Sequence, residues 1–284
     1  LPAGMWSVLP LANEQTADLV ADPRLPVVSF TGSETVGYHI QAAQPTKHVV
    51  LELGGNAAAV VLADWSSDAD LEWAATRIAT FGNYQAGQSC VSVQRVLVDE
   101  SVYERFVPLL VAKLEALKTG APTDEDVQVG PVINDAAAAR IQSWIDDAVA
   151  SGATLLAGGT REGTTIAPTL LSDAPAEAKV SCEEVFGPVM TIAPVAGVDA
   201  ALAAVNDSRF GLQAGIFTHD LQIAFRAHRE LVVGGVVIGD VPSFRADQMP
   251  YGGVKSSGLG REGLRAAMTD LTHDRVMVLT GLDL

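Results

Sequence analysis

Short runs of apolar, β-branched residues alternate along this chain with alanine-rich amphipathic stretches, and no other feature constrains the fold as tightly. PVVSF (26–30) leads into SETVGYHIQAAQ, and HVVLELG (48–54) and AAAVVLA (57–63) lead into a helical pattern over Asp68 to Gly82. VQRVLVD (93–99) precedes a helix from Glu100 to Lys118, capped by Ser101 or a neighbour. A further helix spans NDAAAARIQSWIDDAVASG and is closed by Gly152. ATLLAGG, APTLLSD and PVMTIAPV add strands, and AALAAVNDS and LQIAFRAHREL add helices. Strand and helix alternating at this pitch predict an α/β protein built on a parallel sheet. The alternation in HDRVMVLTG predicts a last strand able to pair with another chain.

Composition narrows the function classes. With 34 acidic and 18 basic residues the net charge is −16, which repels nucleic acid and anionic membranes over most of the surface. No apolar run reaches the roughly 18 residues that span a bilayer, and LPAGMWSVLP has no charged segment ahead of an apolar one. The expectation is a soluble, cytoplasmic protein with neither a nucleic-acid nor a membrane partner. Cys90 and Cys182 lack the paired spacing of a zinc site, and the five histidines are scattered, so no metal site is expected. The opening residues, LPAGMW, read as the interior of a domain, so an upstream segment is expected.

Four segments carry chemistry. In FTGSETVG (30–37) a strand runs into Gly32 and Ser33 as a helix begins; free amides there can hold a phosphate or simply form a capped turn. Glu52 ends the apolar strand of LELGGN (51–56), as a desolvated general base or a salt-bridged edge residue. Cys90, in GQSC (87–90), follows a glycine turn, where amides can favour a thiolate; a small buried hydrophobe is the alternative. In EEVFGPV (183–189) a carboxylate can accept from ribose hydroxyls beside the Phe186 ring, or the segment is a charged turn over a buried Phe.

Taken in order, FTGSETVG, LELGGN, GQSC, EEVFGPV and PYGGVKSSGLGREG resemble the NAD(P)-dependent aldehyde dehydrogenase superfamily, over essentially the whole chain. The resemblance implies an α/β, aldehyde dehydrogenase-like fold: the remainder of a Rossmann-like cofactor domain (1–55), an α/β catalytic domain (56–255), and a return to the cofactor domain with an oligomerisation strand (256–284). It implies Cys90 as nucleophile and Glu52 as the base that activates water against a thioester. NAD or NADP would be held by Gly32, Ser33, Val36 and Gly37 at the pyrophosphate, Leu53 and Gly54 near the nicotinamide, Glu184 at its ribose and Phe186 beside it. Glu184 is preferred to Glu183 because it stands two residues before the Phe. A homo-oligomer and a small aldehyde substrate are also implied.

Departures from the family pattern matter too. Asn56 stands where many members carry Lys, and the segment bearing the Asn that helps bind the oxyanion has no counterpart here. Losing one such donor typically costs about 10² to 10³ in rate, so the chain alone is expected not to turn over aldehyde. GQSCVSVQR and DVPSFRADQMPYGG resemble the branch that handles lactaldehyde, glyceraldehyde or phosphonoacetaldehyde. Tyr251 would belong to the substrate funnel. Arg245 would pair with an anionic substrate, or with Asp240 or Asp247. Two other readings stay open: a coenzyme A-acylating enzyme, against which Glu52 argues, and a non-catalytic oligomerisation fragment. Cys182 is read as structural.

Overall fold

The computed structural model describes residues 2–281 and 283. The N-terminal part contains α1 (Asn13–Ala21), β1 (Val27–Thr31), α2 (Glu34–Ala43), β2 (His48–Glu52), β3 (Ala58–Val61), α3 (Asp68–Asn83), β4 (Arg95–Asp99) and α4 (Glu100–Glu115). Then come α5 (Asp135–Ala150), β5 (Thr154–Ala157), β6 (Arg161–Glu162), β7 (Thr165–Ile166), β8 (Thr169–Ser172), α6 (Lys179–Cys182) and β9 (Val189–Val195). The last part holds α7 (Gly197–Asn206), β10 (Phe210–Gly211), β11 (Gln213–Phe217), α8 (Leu221–Glu230), β12 (Gly235–Ile238), β13 (Val254–Lys255), β14 (Gly258–Leu259) and α9 (Leu264–Asp270).

Two sheets organise these elements. The larger has seven strands in the order β12-β11-β3-β4-β9-β8-β5, parallel throughout except for β5 at one edge. Its middle explains the unbroken apolar runs: strands covered on both faces need apolar residues at every position. Along β3, Ala59 and Val61 pack with α3 and α4, while Ala58 and Val60 pack with α7 and α8. Each fully buried Leu, Ile or Val here stabilises the fold by about 1.5–3 kcal/mol. The smaller sheet pairs β1 with β2 in parallel and β2 with β14 antiparallel. It carries its own core of Ile40, Val49, Leu51 and Leu53.

The helix starts follow side-chain chemistry. Ser67 caps α3 in a reciprocal pair with Asp70, Asn134 caps α5, and Asp220 caps α8. Such caps are worth about 1 kcal/mol each. The cap of α4 is Asp99, whose carboxylate accepts from the Ser101 amide at 3.0 Å, because a carboxylate one step before the first turn also favours the helix dipole.

Residues 273–279 pair with no strand within this chain, and Val276, Met277 and Val278 are exposed; the partner expected for this segment is another chain.

Candidate active site

The site lies where the ends of the two sheets meet. Glu52 is the last residue of β2, and the strand is pinned beyond it: the Gly32 amide donates to the Glu52 carbonyl at 3.1 Å, and the Leu53 amide to the Ser257 carbonyl at 3.0 Å. Glu52 is 6% exposed, and its Oε1 is buried with no hydrogen-bond partner. Desolvation favours the protonated form, so burial pushes its pKa up to about 7; Glu262 adds to the rise and Arg261 and Arg245 oppose it.

Cys90 follows a turn in which Gln85, Ala86 and Gly87 all have positive φ, at 52°, 55° and 70°. A Cβ on Gly87 would collide with the Gly187 carbonyl, so the turn before Cys90 and the turn after Phe186 pack back to back. The thiol is partly buried, and its Sγ lies 3.0 Å from the Tyr251 hydroxyl. Burial raises the thiol pKa above its ordinary value; the Tyr251 hydroxyl opposes the rise, and the charges of Glu184 and Glu52 add to it.

Gly54 and Gly55 bring the remaining carboxylate in. Glu184 accepts from the Gly55 amide at 2.9 Å, and a Cβ on Gly54 would collide with its carboxylate. On the other side, a Cβ on Gly55 would sit 2.6 Å from the Cys90 carbonyl oxygen. The two glycines thus form a strap of bare backbone with Glu184 on one side and Cys90 on the other. Burial raises the Glu184 pKa, against the Gly55 amide and Arg140. Glu183 points elsewhere, to Arg209, which also pairs with Glu34.

The other expected cofactor residues fall around this strap. Ser33 caps α2, accepting from the Val36 amide at 3.4 Å, and Val36 is exposed. Gly37 is buried under Leu53, whose side chain belongs to the core of the small sheet. Phe186 exposes 41% of its surface at a φ of 51°, a conformation unusual for a bulky residue. Asn56 is buried, donating to the Ser181 carbonyl and accepting from Ser208.

Arg245 is paired with Glu262, at 3.3 Å, and not with Asp240 or Asp247. Asp240 is already held by both arms of Arg77, at 2.7 and 2.8 Å. Arg245 also donates to the Ala246 and Met249 carbonyls, and its guanidinium lies 4.6 Å from the centre of the Tyr251 ring. Cys182 donates weakly to the Glu177 carbonyl and takes no part in the site.

Sequence reasoning missed two residues of this neighbourhood, Glu262 and Gln94. Glu262 faces Glu52 electrostatically and joins Tyr251 through two backbone hydrogen bonds. Gln94 wires the segment before Phe186: its amide donates to the Val180 and Glu183 carbonyls and accepts from the Val185 amide. A polar side chain just ahead of the strand RVLVD, four residues after Cys90, was the available signal. Among the described residues no group of three or more His, Cys, Asp or Glu is placed to hold a metal ion, and no helix is long and apolar enough to cross a membrane.

A parallel α/β scaffold thus brings one thiol and two desolvated carboxylates together around a glycine strap. The chain belongs to the aldehyde dehydrogenase family, whose model matches residues 1–277. It is 42% identical over 280 residues to a 3-sulfolactaldehyde dehydrogenase of Priestia megaterium, covering 98% of this chain and 58% of that protein. Aldehyde dehydrogenase 21 from Physcomitrella patens, solved with the reaction product succinate, superposes with a TM-score of 0.89 at 42% identity, covering 93% of this chain and 54% of that one. Glyceraldehyde-3-phosphate dehydrogenase GapN from Methanocaldococcus jannaschii, complexed with NADP, gives a TM-score of 0.85 at 36% identity, covering 90% of this chain and 55% of that one. The chain therefore spans little more than half the length of these relatives.

Proposed function

We propose that these residues carry the chemistry of an NAD(P)-dependent aldehyde dehydrogenase that converts small anionic aldehydes to carboxylic acids. The observation that carries the reading is one site holding the Cys90 thiol and Glu52, a buried carboxylate with a partnerless oxygen and a pKa near 7. In this reading the Cys90 thiolate attacks the aldehyde carbon to form a thiohemiacetal, and oxidation leaves a thioester on Sγ. Glu52 takes a proton from water as that water attacks the thioester; the C–S bond breaks and sulfur leaves as thiolate. A base matched to neutral pH favours water over coenzyme A as the acyl acceptor.

When bound, the nicotinamide would supply the acceptor for the two electrons removed from the thiohemiacetal. The residues present suit a dinucleotide. Gly32, Ser33 and Val36 lie at the start of α2 and would face the pyrophosphate, while Gly37, buried under Leu53, would let that turn pack close to the small sheet. Glu184, seated against the side-chain-free backbone at Gly54, would accept from a ribose, and Phe186, 41% exposed, would pack beside the nicotinamide. Leu53 would contribute its backbone to the nicotinamide face, its side chain being committed to the core. The division at residues 55 and 255 is kept in this reading, supported by the return of β14 to pair with β2.

The substrate class rests on Arg245. Three of its five N–H groups are engaged by Ala246, Met249 and Glu262, which leaves donors for a carboxylate, sulfonate or phosphate. Sulfolactaldehyde, succinate and glyceraldehyde-3-phosphate, named for three of the relatives, are anionic and support the same class, while others are named for the neutral lactaldehyde.

Two expected results test the reading. Incubation with p-nitrophenyl acetate should place one acetyl group on Cys90, located by peptide mass spectrometry, and Cys90→Ala should abolish it. Persistence of rapid nitrophenol release in that variant would remove Cys90 from its role. Arg245→Ala should slow acylation of Cys90 by a carboxylate-bearing nitrophenyl ester about tenfold or more, with a much smaller change for the neutral ester, since a charge-assisted hydrogen bond is worth about 1.5–3 kcal/mol. Equal losses on both esters would sink the anionic substrate class.

A further inference from the structure

The sulfur of Cys90 faces an unfavourable environment for the negative charge its chemistry requires. It is partly buried, and the two carboxylates that face it, Glu52 and Glu184, both disfavour a thiolate. Arg261 and Arg245 act on Glu52, and Arg140 acts on Glu184; none of these cations makes a hydrogen bond to the sulfur. The polar side-chain group in contact with Sγ is the Tyr251 hydroxyl, at 3.0 Å.

We infer that Tyr251 is a further catalytic residue, whose hydroxyl donates to Sγ and so holds Cys90 as the attacking thiolate. The inference rests on the nucleophilic role of Cys90 proposed above. Beside the neutral thiol either partner can donate; once the proton leaves sulfur, only the phenol can. The surroundings keep the phenol protonated: burial, the neighbouring thiol, and the carboxylates Glu52 and Glu262 all raise its pKa. Its ring is fixed rather than free. Tyr251 is 9% exposed and packs with Val91 and Leu212, and its backbone exchanges two hydrogen bonds with Glu262.

Arg245 sharpens the donor. Its guanidinium, anchored on Glu262, lies over the Tyr251 ring, where a cation draws on the π-electrons and makes the O–H a stronger donor. The residue proposed to read an anionic substrate therefore touches the residue that readies the thiol. Arg245, Tyr251 and Cys90 form one line of contacts, joining residues 161 positions apart at its sulfur end.

The test is the pH dependence of Cys90 acylation in the full chain. Thiolate attacks the nitrophenyl ester carbonyl, the C–S bond forms, the C–O bond breaks, and nitrophenolate leaves with the electron pair. Tyr251→Phe keeps the buried ring and deletes the O–H. The inference expects the midpoint of the rate profile to rise by about one to two pH units, and the rate at pH 7 to fall about ten- to hundredfold, with acylation at Cys182 unchanged. Titration of thiolate ultraviolet absorbance in a Cys182→Ser background reads the same shift without any ester. An unchanged midpoint in both measurements overturns the role of Tyr251 while leaving Cys90 as nucleophile. Absence of any acyl group on Cys90 in the unaltered chain, at any pH, overturns the nucleophile and this inference together.

Discussion

Glu52→Gln is expected to trap the acyl group on Cys90. Acylation by a nitrophenyl ester should proceed near its original rate, and loss of the acyl group should slow about 10²- to 10⁴-fold, the usual contribution of a positioned general base. In the unaltered chain deacylation should rise with pH, with a midpoint about 7, because only the ionised carboxylate can take a proton from water. The glutamine variant should lose that midpoint. Stability runs the other way. A carboxyl whose folded pKa is raised gives stability that is fully present below about pH 4.5 and lost as pH climbs through about 7. At pH 8 the glutamine variant should therefore melt no lower than the parent, and a lower melting temperature would show that Glu52 has a structural partner. Both rates come from one stopped-flow trace with a mass-spectrometric endpoint; equal deacylation in parent and variant would end the assignment of Glu52.

Gly87→Ala is expected to damage both the fold and the site. The left-handed backbone costs a non-glycine residue about 1–2 kcal/mol, and the added carbon meets the Gly187 carbonyl, which is backbone and cannot rotate aside. A loss of at least about 2 kcal/mol follows, read as a fall of several degrees in melting temperature. Because the same turn sets the position of Cys90, acylation should fall more than the stability loss alone explains. A variant with unaltered melting and acylation would show that the two turns can separate without consequence.

The scaffold was legible in the sequence because its signals are local. AAAVVLA announces a strand buried on both faces, and β3 lies in the middle of the large sheet with residues of alternate parity feeding two different cores. Cys90 and Glu52 were legible as candidates through their motifs. The contacts that make them a site were not, since they join distant segments. The Tyr251 hydroxyl meets a sulfur 161 positions away, and Gln94 grips a segment about 90 positions on. Only the ion-pair partner of Arg245 was misjudged, because its neighbours in sequence, Asp240 and Asp247, offered themselves first. The competitor for Asp240 was Arg77, 163 positions earlier, and no pattern near residue 245 discloses it. The C-terminal alternation of HDRVMVLTG finds no ladder partner within this chain.

The strap at Gly54 and Gly55 has a mechanical consequence. Most partitions inside a protein are padded with side chains, which can change rotamer and absorb a displacement on one side before it reaches the other. Here the partition is a single thickness of main chain, touching the Glu184 carboxylate on one surface and the Cys90 carbonyl on the other. Peptide units have no rotamers to give. A push on Glu184 must travel through the strap as movement of the chain itself, so the carboxylate and the nucleophile's loop behave as two ends of one lever.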